Sequence, residues 1–146
     1  MTLELTLGLI AVATLIGIGF KVFQGRGHAV LGQERIDLEK LRGLHKGKPA
    51  KRFGAKATTV LFSTSYCSIC PGVNRQLAGF EKLDPGLSHV EVDITDRLDL
   101  AAHFGVSQTP TVLITDSSGR IRFRISGAPK PGALVKELNE LGVITK

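Results

Sequence analysis

Residues 57 to 71 read ATTVLFSTSYCSICP, and the fold turns on them. Ala57 to Ser63 is a compact run of threonine and apolar residues, too short for a helix, which predicts a buried central strand. From Pro71 onward Val73, Leu77, Phe80 and Leu83 recur at steps of four, three and three. That spacing predicts a helix with one buried face, ended by Asp84-Pro85-Gly86. Pro71 suits the first turn, where a missing N–H costs nothing. Cys67 and Cys70, the only two cysteines, fall between the strand and the helix. A thiolate there faces unpaired amides and the positive end of the helix dipole, which lowers its pKa from about 8.5 toward about 3.5 to 7.5. Cys67 is therefore the expected nucleophile. Cys70, three residues on, is placed to attack a mixed disulfide on Cys67 and is the expected resolving thiol.

Working outward, Val90, Val92 and Ile94 alternate with Glu91 and Asp93, the mark of a strand with one face inward. Asp96 is the expected cap of a short helix over Leu98 to Phe104, ended by Gly105. Thr111 to Thr115 reads as a further strand, and Asp116 to Gly119 as a turn. Ile121, Phe123 and Ile125 then alternate with Arg120, Arg122 and Arg124, predicting an edge strand whose arginine row is solvated. Leu134, Leu138 and Leu141 define a last helix. The order β-α-β-α-β-β-α predicts a three-layer α/β domain with a mixed central sheet, parallel in its first half and antiparallel in its second.

On the amino-terminal side, Leu5 to Phe20 is a run of sixteen uncharged residues, and the apolar character extends from Leu3 to Phe23 if Glu4 and Lys21 snorkel. About 20 helical residues span the roughly 30 Å hydrocarbon core. Residues 1–23 are expected to form an uncleaved membrane anchor, since the start is not basic and the Ala-x-Ala of Ala11 to Ala13 lies inside the run. The competing reading is a buried core helix. Between Lys21 and Lys56 stand ten basic residues against three acidic ones, whereas the rest of the chain from Ala57 is balanced. Residues 24–56, broken by glycines and by Lys48-Pro49, are expected to be a basic linker, with one short helix at Leu38, Leu41 and Leu44. The domain is then expected over residues 57–146. All the basic residues flanking the anchor lie on its carboxyl side, which predicts a domain in the cytoplasm, with the basic stretch near anionic lipid or simply solvated. Nucleic acid is not an expected partner, because Phe53 is the one aromatic residue interleaved with the later basic residues of this stretch.

The cysteine pair admits other readings. Zinc needs four ligands; a single C-x-x-C offers two, and His28, His45, His89 and His103 show no pairing that completes the set. Haem attachment would need histidine where Pro71 stands. An inert pair, or a metal-holding binding module, remains as the alternative from a different class.

The stretch Ser-Tyr-Cys67-Ser-Ile-Cys70-Pro, the strands around it, Phe104-Gly105-Val106, Gln108-Thr109-Pro110-Thr111, and Gly127 before the final helix together resemble the thioredoxin family over about residues 57 to 142. With its anchor the chain looks like a bacterial membrane-tethered thioredoxin-like protein. The resemblance implies a thiol-disulfide oxidoreductase with a redox-active Cys67–Cys70 disulfide and no other cofactor or metal. It implies a cis Thr109–Pro110 bond beside the cysteines and a peptide groove shaped by Thr109, Pro110, Gly127 and Tyr66. Implied partners are protein thiols or disulfides and an electron-donor reductase or membrane redox partner. A cytoplasmic domain would reduce protein disulfides; one outside the membrane would serve disulfide exchange or cytochrome maturation. Four positions depart from the family pattern. Tyr66 replaces a tryptophan, Ser68-Ile69 replaces Gly-Pro, and Leu61 stands where the family has a buried aspartate that assists proton transfer to the resolving thiol.

Overall fold

The computed structural model describes residues 2–23, 25–30 and 34–144. Its elements are α1 (Thr2–Phe23), β1 (Gly27–Ala29), α2 (Leu38–Leu41), β2 (Leu44–His45), β3 (Lys48–Pro49), β4 (Ala57–Ser63), α3 (Cys70–Leu83), β5 (Leu87–Asp93), α4 (Leu98–His103), β6 (Thr111–Asp116), β7 (Ile121–Ser126) and α5 (Ala133–Glu140). The seven strands form one mixed sheet in the order β1-β7-β6-β4-β5-β2-β3. β4 runs parallel to β5, with Leu61 opposite Glu91, and antiparallel to β6, with Leu61 opposite Val112.

β4 sits at the middle of the sheet, and every one of its seven residues is buried, as the strand's unbroken apolar and threonine character requires. Its two faces feed two cores. Leu61 packs with Val73 and Leu77 of α3 and Leu134 and Leu138 of α5. Val60 and Phe62 pack with Val90, Val92, Leu100 and Phe104 on the other side. Three layers result, as expected.

The described residues of the expected linker, 25–30 and 34–56, pack as part of the domain. β1 pairs with β7, placing Gly27 opposite Ile125, and β2 pairs with β5. Ile36, Leu38, Leu41 and Ala50 are buried in the core with Val60 and Phe62. These apolar residues are spaced too sparsely among glycines and charges to form a periodic signal, so only packing reveals them. Leu44 lies in β2 and is 48% exposed, outside the short helix that was expected to hold it. β7 is accordingly not the edge: β1 covers it, while Arg120 and Arg122 stay exposed.

Smaller differences have local causes. Leu83 is 73% exposed, because it lies about 80° around the helix from Val73 and so falls outside the buried stripe. Arg97 rather than Asp96 occupies the position before α4, with no side-chain bond to the helix N–H groups, and its guanidinium turns to Asp99 at 2.9 Å. α1 carries a span from Leu3 to Val22 with mean hydropathy 2.1, none of it buried, so it is not a core helix of this domain. It is long and apolar enough to cross a membrane.

Candidate active site

The site forms at the carboxyl ends of the parallel strands β4 and β5, where an α/β sheet opens a crevice. Leaving β4, the chain makes a tight turn in which the Cys67 N–H donates to the Thr64 carbonyl at 3.1 Å. The Ser65 N–H is held by Thr95 Oγ1 at 2.9 Å, just past the end of β5. The helix itself starts at Cys70, so Cys67 stands in front of it rather than in its first turn. No side chain caps α3; Pro71 has no N–H to offer, and the Gly72 and Val73 N–H groups donate to the Ile69 carbonyl at 3.1 and 3.2 Å.

Cys67 and Cys70 are joined as a disulfide, with their Cα atoms 5.4 Å apart. Their environments differ: Cys67 is partly exposed and Cys70 is only 2% exposed. A partner can therefore reach the first sulfur while the second is screened by protein.

The Thr109–Pro110 bond is cis, as the resemblance implied. It reaches the cysteine loop through Thr64 Oγ1 and Thr109 Oγ1, 3.3 Å apart. Gly127 closes the same corner. Its N–H donates to the Pro110 carbonyl at 2.8 Å, and its φ of +81° is one that glycine adopts without strain. Tyr66 follows a different course, standing 89% exposed with no hydrogen bond or ring contact among the described residues. Among those residues no three His, Cys, Asp or Glu side chains gather in a metal-binding cluster.

Glu91 departs from its sequence reading. Alternation suggested that it faces solvent, but a strand between two layers has both faces covered. Glu91 therefore lies beneath α3. Its Oε1 accepts from Ser63 Oγ at 2.9 Å and its Oε2 from Asn74 Nδ2 at 2.7 Å. Asn74 Oδ1 meets His89 Nε2 at 2.6 Å, and His89 Nδ1 meets Thr59 Oγ1 at 3.0 Å. Burial away from water pushes the His89 imidazole down to about 4, against the opposing pull of the Glu81 carboxylate. His89 is thus neutral near pH 7. With one ring N–H to give, it donates to Asn74 and accepts from Thr59, so the chain of donors runs toward Glu91 from one side while Ser63 donates from the other. The one signal in sequence was the placement of polar residues on a strand predicted to be flanked by helices.

No family model matches the chain, and no curated protein matches it. Solved structures do. A thioredoxin from Nicotiana alata superposes with a TM-score of 0.52 at 26% identity, over 59% of this chain and 73% of that one. Oxidized mitochondrial thioredoxin 3 from Saccharomyces cerevisiae gives 0.52 at 24% identity, over 58% and 78%. Fasciola hepatica thioredoxin gives 0.52 at 22%, over 60% and 82%. At these identities the likeness is one of architecture, and this chain has the thioredoxin fold.

Proposed function

We propose that the protein is a membrane-anchored thiol-disulfide oxidoreductase that reduces protein disulfides. The observation that carries this reading is the asymmetric pair: a reachable Cys67 and a buried Cys70, joined as a disulfide at the strand-to-helix junction. In the reduced protein the Cys67 thiolate attacks one sulfur of a substrate disulfide, and the other substrate sulfur leaves as a thiolate that takes up a proton. Cys70 then attacks Cys67 Sγ, closes the internal disulfide and releases the second substrate thiol. Two electrons pass from the dithiol to the substrate, and a reductase or membrane redox partner must restore them. Thr109 and Pro110 line the groove for an extended peptide, Gly127 holds its corner, and Tyr66 offers an exposed ring at its mouth.

The basic residues after α1 support a cytoplasmic domain on a single-pass anchor, close to anionic lipid. The test uses the full chain in detergent with a protein disulfide and dithiothreitol. Wild type should accelerate reduction and Cys67→Ser should lose the acceleration; equal turnover by the two removes the catalytic claim.

A further inference from the structure

Resolution requires a thiolate at Cys70, yet that sulfur lies where water hardly reaches it. A buried thiol holds its proton more firmly than an exposed one, so the step needs a nearby acceptor. The ionisable groups around α3 narrow the choice. On the face of β5 beneath α3, Glu91 is flanked by His89 and Asp93; Glu81 lies further along α3, and His45 on β2 pairs with Glu81. Glu81 also accepts from the His89 N–H at 3.2 Å, at the far end of the helix from the cysteines. Asp93 is taken by Thr95, whose hydroxyl and amide hold its carboxyl below the usual range. His89 is neutral, and both its ring nitrogens are engaged.

Glu91 is the carboxylate hydrogen-bonded to both segments that flank the cysteines. It is tied at one oxygen to Ser63, the last residue of β4, and at the other to Asn74. Asn74 stands four residues after Cys70 on α3, the spacing that stacks two side chains on one helix face with Cβ atoms about 5 to 6 Å apart. The carboxylate thus lies between the strand that leads into the cysteine turn and the helix face that carries the resolving sulfur. Parallel pairing sets it next to Leu61, which has no group to offer.

We propose that Glu91 accepts the Cys70 proton during resolution, and that Ser63, Asn74 and His89 position it to do so. The assignment rests on the oxidoreductase reading above. In the step, the Cys70 S–H bond gives its proton to a Glu91 oxygen and the resulting thiolate forms a bond to Cys67 Sγ. The bond from Cys67 to the substrate sulfur breaks, and the departing thiolate takes a proton from solvent. Glu91 returns its own proton to solvent before the next cycle. The supporting side chains have fixed directions, since the amide of Asn74 gives its N–H to Glu91 only while its oxygen faces His89.

The experiment uses the reduced full chain in detergent and a chromogenic aromatic disulfide, which releases one thiolate when Cys67 attacks and a second when Cys70 resolves. Glu91→Gln should slow the second release by at least about tenfold at neutral pH and leave the first unchanged. The variant should converge on wild type as the pH rises above the ordinary thiol pKa of about 8.5, where hydroxide takes the proton directly. Glu91→Asp should recover part of the rate. Asn74→Ala, which keeps the carboxylate and removes one tether, should slow the second release by a smaller factor, and it serves where Glu91→Gln does not fold. Unchanged second release in a folded Glu91→Gln, or in Asn74→Ala where the glutamine variant does not fold, overturns the assignment. So does equal slowing of both releases at every pH, which is the mark of a purely structural role. Wild type that releases no thiolate, or that matches Cys67→Ser, would instead defeat the oxidoreductase reading itself.

Discussion

His89 shows how a single buried side chain ties pH to stability. Its imidazole titrates at about 4 in the fold and at about 6.5 in an unfolded chain. Between those values the unfolded state binds the extra proton, so the stability it contributes is complete above about pH 6.5 and is lost as the pH falls toward 4. The full loss is about 3 kcal/mol. Melting of the full chain in detergent between pH 7 and pH 4 should therefore show wild type losing more stability than His89→Gln, whose amide does not titrate. Parallel losses would mean that the histidine is not held neutral. The cysteines were legible in sequence because both their spacing and their place between strand and helix are local. The polar chain from Thr59 to Glu91 was not, since its members lie on three elements and meet only when α3 lies over β4 and β5.

Among the elements, α3 joins the chemistry to the core. Its buried stripe of Val73 and Leu77 packs on Leu61, and Phe80 extends the same contact. Leu77 is fully buried, so Leu77→Ala removes apolar contact and leaves a cavity beneath the helix that carries Cys70. A loss of about 2 to 5 kcal/mol is expected. Circular dichroism melting checks it, and a change below about 1 kcal/mol would mean that α3 does not rest on Leu77 as described. This helix was legible nearly to the residue, from its apolar spacing and from Asp84-Pro85-Gly86. β1 was not legible, because three residues with no alternation of their own become a strand only through pairing with β7.

For the whole molecule, the chain that follows the apolar helix α1 joins the domain at the β1 edge of the sheet. There the Gly25 N–H donates to the Ser126 carbonyl and the Lys130 N–H to the Gly25 carbonyl, each at 2.9 Å. The basic β2–β3 hairpin lies at the opposite edge, with Lys46 and Lys48 exposed. If the chain is a single-pass protein with its domain in the cytoplasm, an alkaline phosphatase fused to its carboxyl end should be inactive, while a fluorescent protein fused there should glow. Phosphatase activity would reverse the orientation. Release of the protein from membranes by an alkaline carbonate wash would remove the anchor.

Local chemistry by itself determined β4, α3, the β6–β7 hairpin, the apolar amino-terminal helix and the two sulfurs at the strand-to-helix junction. In each, periodicity, turn residues and spacing lie within one stretch of chain. Tertiary structure alone decided that Gly27–Ala29 covers β7, that Ile36 and Leu41 complete the second core, and that Glu91 sits under α3. Alternation along a strand separates its two faces but does not say what will cover each one. That depends on segments distant in sequence, whose contacts exist only once the layers have packed.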